Sequence, residues 1–306
     1  MIRRAFLLSM LVVPAMFAVD SSLLSLVPAD AKVTGGIQVS RTVNSPFGQY
    51  VLNQMGQSNK DLQDFINATG FDPRRDVQEI VFASTGEPKA PGLVLARGVF
   101  NGPQILSAIR AKEPTMTQIA YRGLQLLEKN GHSIAIADGW LGIAGDSAMV
   151  RAAIDRRSAS GFASPVVIKA STVGAKYDAW MVTNGVFVAP LPGKNGNSNP
   201  MTGGLQGIVE TSGGLTFGST VQFAGEAVTR SDKDAQALVD VVKFISGMVQ
   251  MNTNNPDMQK LQPLLDSLQV SAQGTTVKMS FSIPEAELEQ MMKPHARGPR
   301  TAVNRQ

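Results

Sequence analysis

The stretch Gly214-Leu-Thr-Phe-Gly-Ser-Thr-Val-Gln-Phe-Ala-Gly-Glu-Ala-Val-Thr229, continued by Arg230-Ser-Asp-Lys-Asp234 and an apolar-periodic run to Asn252, decides the architecture. It reads as strand, turn, helix. Thr216, Val221, Phe223 and Val228 alternate with small or polar residues, as a half-buried antiparallel strand requires, and the glycines permit a bulge or bend. Ser231 offers an N-cap hydroxyl, and Asp234 three residues later completes an acidic capping box. Ala235, Leu238, Val242, Ile245 and Val249 then follow helical spacing, with Val241, Phe244, Met248 and Met251 widening the apolar face. Gln236, Asp240, Lys243, Gly247 and Gln250 form one narrow polar stripe, so the pattern predicts a helix lying across a sheet with that stripe alone facing water.

Working outward, the same plan recurs. Strands at Val77–Ser84 and Leu93–Val99 precede a helix opened by Asn101-Gly-Pro-Gln104. A strand over Ile119–Glu128, turns at Asn130-Gly131 and Asp138-Gly139, and strands at Ser133–Ala137 and Trp140–Ala144 precede a helix over Ser147–Arg157. The strands Ser267–Ala272 and Thr276–Ile283 precede a helix begun by Pro284, with Glu285 and Glu287 in its first turn. The segments 80–112, 119–157, 214–252 and 268–292 therefore repeat a pattern, though not residues. They predict an α+β fold of duplicated units, antiparallel strands followed by a helix, with the helices packed on one face of each sheet.

The chain's 306 residues divide, on composition, into residues 1–18, a first α+β half at 19–160, a second at 161–292 and a tail at 293–306. Arg3 and Arg4 precede the apolar run from Ala5, with Ala15 or Ala18 placed for cleavage, which is the layout of a secretory signal peptide. Ala5–Val19 is 15 residues long, short of the roughly 20 that span a bilayer, so no integral span is expected after cleavage. The expected location is periplasmic or extracellular. The formal charge of +4 falls to +2 without Arg3 and Arg4, and to −2 without Lys293, Arg297, Arg300 and Arg305 of the tail. A near-neutral body carrying only scattered basic pairs excludes a nucleic-acid partner. The tail reads as a disordered basic extension, and the Gly-, Asn- and Pro-rich Pro190–Gly204 as a long exposed loop.

The chain contains no cysteine, which excludes disulfides, thiolate catalysis and thiolate metal sites. Its two histidines, His132 and His295, leave no metal or cofactor signature. Met248, Met251, Met258, Met279, Met291 and Met292 read as core filling rather than copper ligands. Gly145-Asp146-Ser147, between a strand and a helix, matches the place where GDS-type esterases put a nucleophilic serine. Those enzymes also need a histidine activated by an aspartate, and neither histidine here has that setting, so Asp146 and Ser147 read first as helix caps.

Ser45-Pro-Phe-Gly-Gln, Phe71-Asp-Pro-Arg-Arg-Asp-Val, Ile143-Ala-Gly-Asp-Ser with the following Arg151-Ala-Ala-Ile-Asp-Arg, and Ile283-Pro-Glu-Ala-Glu-Leu-Glu carry a resemblance. In these motifs the chain resembles an uncharacterised family of exported bacterial proteins of unknown function. The resemblance transfers no catalytic residue. The expectation is an exported, non-catalytic envelope protein that binds an apolar ligand or a protein partner through a sheet face or the Pro190–Gly204 loop. The alternative is a serine-type hydrolase using Ser147.

Overall fold

The computed structural model describes residues 21–50, 60–86, 92–158, 164–185, 207–251, 259 and 261–292. The signal segment, the Pro190–Gly204 loop, Met258, the basic tail and His295 lie outside the described residues. In chain order, α1 (Ser21–Leu24), β1 (Val33–Gln38), α2 (Val39–Thr42), α3 (Lys60–Thr69) and α4 (Pro73–Asp76) lead into β2 (Val77–Ser84), β3 (Gly92–Gly98) and α5 (Gly102–Lys112). The meander β4 (Thr117–Tyr121), β5 (Leu124–Lys129), β6 (His132–Ala137) and β7 (Leu141–Asp146) ends in α6 (Ser147–Arg156). Next come α7 (Pro165–Gly174), β8 (Ala179–Asn184), β9 (Ile208–Thr216), β10 (Thr220–Thr229) and α8 (Asp232–Met251). The chain closes with α9 (Gln262–Asp266), β11 (Gln269–Gln273), β12 (Thr276–Pro284) and α10 (Glu285–Met292).

The described strands form one antiparallel sheet of twelve, in the order β11-β12-β10-β9-β8-β1-β2-β3-β7-β6-β5-β4. The fold is α+β, and the repeated plan of strands followed by a helix is present in all four segments: β2-β3-α5, β4-β5-β6-β7-α6, β9-β10-α8 and β11-β12-α10. Strands β8–β12 form one side of the sheet and β1–β7 the other, joined where β1 pairs with β8.

Local signals explain most boundaries. Ser45 Oγ accepts from Gly48 N at 3.0 Å, Asn101 Oδ1 from Gln104 N at 3.3 Å, and Ser231 Oγ from Asp234 N at 3.1 Å. Each satisfies an amide that a helix start leaves unpaired. Asn130-Gly131 (φ 52° and 79°) and Asp138-Gly139 (φ 54° and 71°) make the expected turns. Two strand boundaries differ from expectation. The run Ile119–Glu128 is two strands, because Arg122 and Gly123 both take positive φ (49° and 79°) and close a two-residue hairpin. The opening stretch is likewise a hairpin, β9 and β10 turning at residues 217–219, where the glycines made a bend legible but not a full reversal.

Each helix packs on one face of the sheet, and the two faces are covered differently. On one face Val81, Leu95, Ile143 and Val182 alternate inward beneath α1, α6 and α7 in a continuous core. On the other, α3 and α5 seat Phe65, Ile105 and Ile109 against Ile80, Ala96 and Ile136. At the far end of that second face, α8 sets Ala235, Leu238 and Val239 against Ile208, Ala227, Val270 and Val277. Cover for the rest of α8 does not match expectation: Phe244, Met248 and Met251 are 63%, 55% and 87% exposed, so the two methionines are not core. A helix of 20 residues is about 30 Å long, and this one rests on the last three strands, so its distal half runs past them.

Candidate functional site

Between the two covers of the second face lies an apolar groove, with a cavity of about 680 Å³. Strand alternation builds its floor. Ile37, Met181, Leu215, Phe223 and Met279 all point to this face, because register partners share a face: Met181 with Gly213, Leu215 with Phe223, and Gly225 with Met279. Leu238 and Val242 of α8 form the wall, and Val270 the far end.

Glycine shapes that floor by absence. Gly35 faces Phe82, where a Cβ would fall 2.4 Å from the ring tip, so the ring lies flat on the neighbouring strand. Gly225 leaves room for the ring of Phe223 on its own strand, whose Cζ is 3.0 Å from the position a Cβ would take. Phe223 in turn stacks on Phe281 with centroids 4.9 Å apart. Gly225 was legible in the sequence, but only as a place that permits a strand to bend.

The polar residues of these strands are engaged within the protein, Thr211 on the grooved face and Ser212 and Glu226 turned to the opposite one, in register with Val182. Thr211 Oγ1 lies 2.8 Å from Thr183 Oγ1, and Ser212 Oγ donates to Glu226 Oε1 at 3.3 Å. Lys169, reaching from α7 on the opposite face, bonds Glu226 and lies 3.3 Å from Glu210. The hydrogen bond from Lys169 holds the Glu226 carboxyl below the usual carboxylate range, and Glu226 raises Lys169 above the usual lysine range. The groove is therefore backed by paired charge and lined by carbon.

Asp146 and Ser147 sit elsewhere, on the β7–α6 junction. Asp146 Oδ1 accepts from Ala148 N at 3.0 Å and from Met149 N at 3.4 Å, so Asp146 is the cap. Ser147 is buried, with its Oγ 2.7 Å from Ser133 Oγ, and Ser133 donates to Glu128 Oε2 at 2.9 Å. Arg151 donates to the same carboxylate at 2.6 Å. The hydrogen bond from Ser133, with the Arg151 cation, keeps Glu128 below its usual range. His132 is exposed and stands opposite Asp146 in the strand register. Among the described residues no group of three or more His, Asp or Glu is arranged to hold a metal, and no helix is long and apolar enough to cross a membrane.

No family model matches this chain, and no curated protein does. Its fold does have solved counterparts. Crystal form IV of TP0453 superposes with a TM-score of 0.54 at 10% identity, covering 89% of this chain and 96% of that one. Crystal form III of TP0453 gives 0.53 at 10% identity, covering 88% and 96%. Both show the fold to be one already seen in crystals, and at that identity nothing more is carried across.

Proposed function

We propose that this chain is an exported, non-catalytic envelope protein, periplasmic or extracellular, that holds an apolar ligand in the groove between α8 and the central strands. The observation that supports it is the cavity itself. A well-packed interior leaves few voids larger than a water molecule, whereas this one is of the size that ligand pockets take, roughly 300–1,000 Å³. Native mass spectrometry on protein purified from its own envelope tests the reading. A co-purifying apolar molecule, lost on solvent extraction, is expected. Ligand-free protein that also leaves an environment-sensitive apolar dye dark would overturn it. N-terminal sequencing tests export: the mature chain should begin at or near Met16 or Val19, and an intact Met1 in the membrane fraction would count against it.

A protein partner is the second reading, favoured by the exposed Phe244, Met248 and Met251 on α8. The hydrolase alternative through Ser147 has less support, because its hydroxyl is buried against Ser133 rather than open to a substrate. Ester turnover that disappears in Ser147→Ala would restore it.

A further inference from the structure

The shape of the groove narrows the ligand class. Its lining runs from Phe82 on β2 across β1, β8, β9, β10 and β12 to Val270 on β11. Six steps between neighbouring strands, at about 4.8 Å each, make it roughly 29 Å long. Spread over that length, the roughly 680 Å³ open to the centres of water-sized spheres, widened by a water radius of about 1.4 Å, makes a slot about 8 Å across. A protein helix with side chains is about 10–12 Å across, wider than the slot, so a helix of a partner does not fit inside. A slot this narrow accommodates an extended hydrocarbon chain.

The chemistry of the lining agrees with the shape. A ligand polar group placed inside would lose its water, and the lining polar groups Thr211, Ser212 and Glu226 are already bonded within the protein. Met181 and Met279, both on the floor, have unbranched side chains that adapt to a chain lying in more than one rotamer. We infer that the ligand is a straight alkyl chain, lying across the strands, whose polar head finds no partner among the described lining residues and stays beyond it. This rests on the groove being a binding site.

The test is calorimetric titration of the mature full-length protein, stripped by solvent extraction, with straight-chain alcohols of increasing length. Affinity should rise about fourfold with each added methylene, the equivalent of burying one CH₂, and level off when the slot is full. Alkanoates and alkylamines of matched length should bind within a few-fold of the alcohols, because among the described lining residues the one charge, Glu226, is paired with Lys169. Val242→Trp and Val270→Trp, which narrow the wall and the far end, should lower the chain length at which affinity levels off. Affinity that is independent of length, or a rigid fused-ring hydrocarbon binding more tightly than any chain, would overturn the alkyl-chain assignment while leaving the groove a binding site. Failure of every chain and ring to bind would remove both. Phosphatidylcholine vesicles separate the two sources of such a chain: protein recovered with phospholipid takes it from a membrane, and protein recovered empty takes free chains.

Discussion

The two faces of the sheet are filled to different standards. On the closed face, Leu93, Leu95, Leu141 and Ile143 are at most 1% exposed beneath three helices. On the grooved face, the 20-residue α8 buries only Ala235, Leu238 and Val239, and the sheet beside it presents glycines and flattened rings to empty space. Both faces come from the same strands by alternation, so the difference lies in what covers them. Stability is concentrated on the closed face, which frees the other to stay unfilled.

Four outcomes break or sharpen that contrast. The largest is Leu238→Asp, where a charge left unpaired under α8 should cost about 3–5 kcal/mol, against about 1 kcal/mol or less for Ile245→Asp further along the helix. Thermal melts of the two variants check it, and equal losses would mean that the distal half of α8 is covered after all. Next, Ile143→Ala should cost about 3 kcal/mol by opening a void in a packed core, whereas Met181→Ala, which enlarges a void already present, should cost under about 1 kcal/mol in urea unfolding. Asp146→Ala, which removes the α6 cap, should cost about 1 kcal/mol, and Asp146→Asn much less.

The smallest effect is electrostatic. Glu226 is lowered by Lys169, so its stabilisation is present above the ordinary glutamate range and is lost as pH falls through the folded value. Lys169 is raised by Glu226, so its stabilisation is present below the ordinary lysine range and is lost as pH rises through the folded value. Both are partly exposed, which keeps the effect small. The melting-temperature difference between the native chain and Lys169→Met should therefore be flat between those limits and shrink beyond both. A difference that persists in acid would mean the pair contributes nothing through charge.

Local chemistry was readable in the residues and long-range pairing was not. The caps Ser45, Asn101, Asp146 and Ser231 bind amides within four residues, so a short window contains the whole interaction. Arg122-Gly123 escaped because arginine seldom takes positive φ, leaving one strong turn residue where Asn130-Gly131 had two. The helix α7, with Ser164 as its cap, was not assigned because Val166, Val167 and Ile168 suit a strand equally well. The groove was invisible for a different reason. It exists because β1 pairs with β8 and brings Ile37 beside Ala179 and Gly35 beside Met181, and nothing near these residues announces that meeting.

That same pairing sets a clock. Val33 of β1 meets Thr183 of β8, 150 positions along the chain. At about 5–20 residues per second of synthesis, β1 stands for roughly 8–30 s with one row of amides and carbonyls unsatisfied before its second neighbour emerges. An unpaired strand edge is a template for any other extended segment, and pairings this distant in sequence form slowly. The strand that ends at the centre of the sheet is thus, early in the chain's life, its most exposed border.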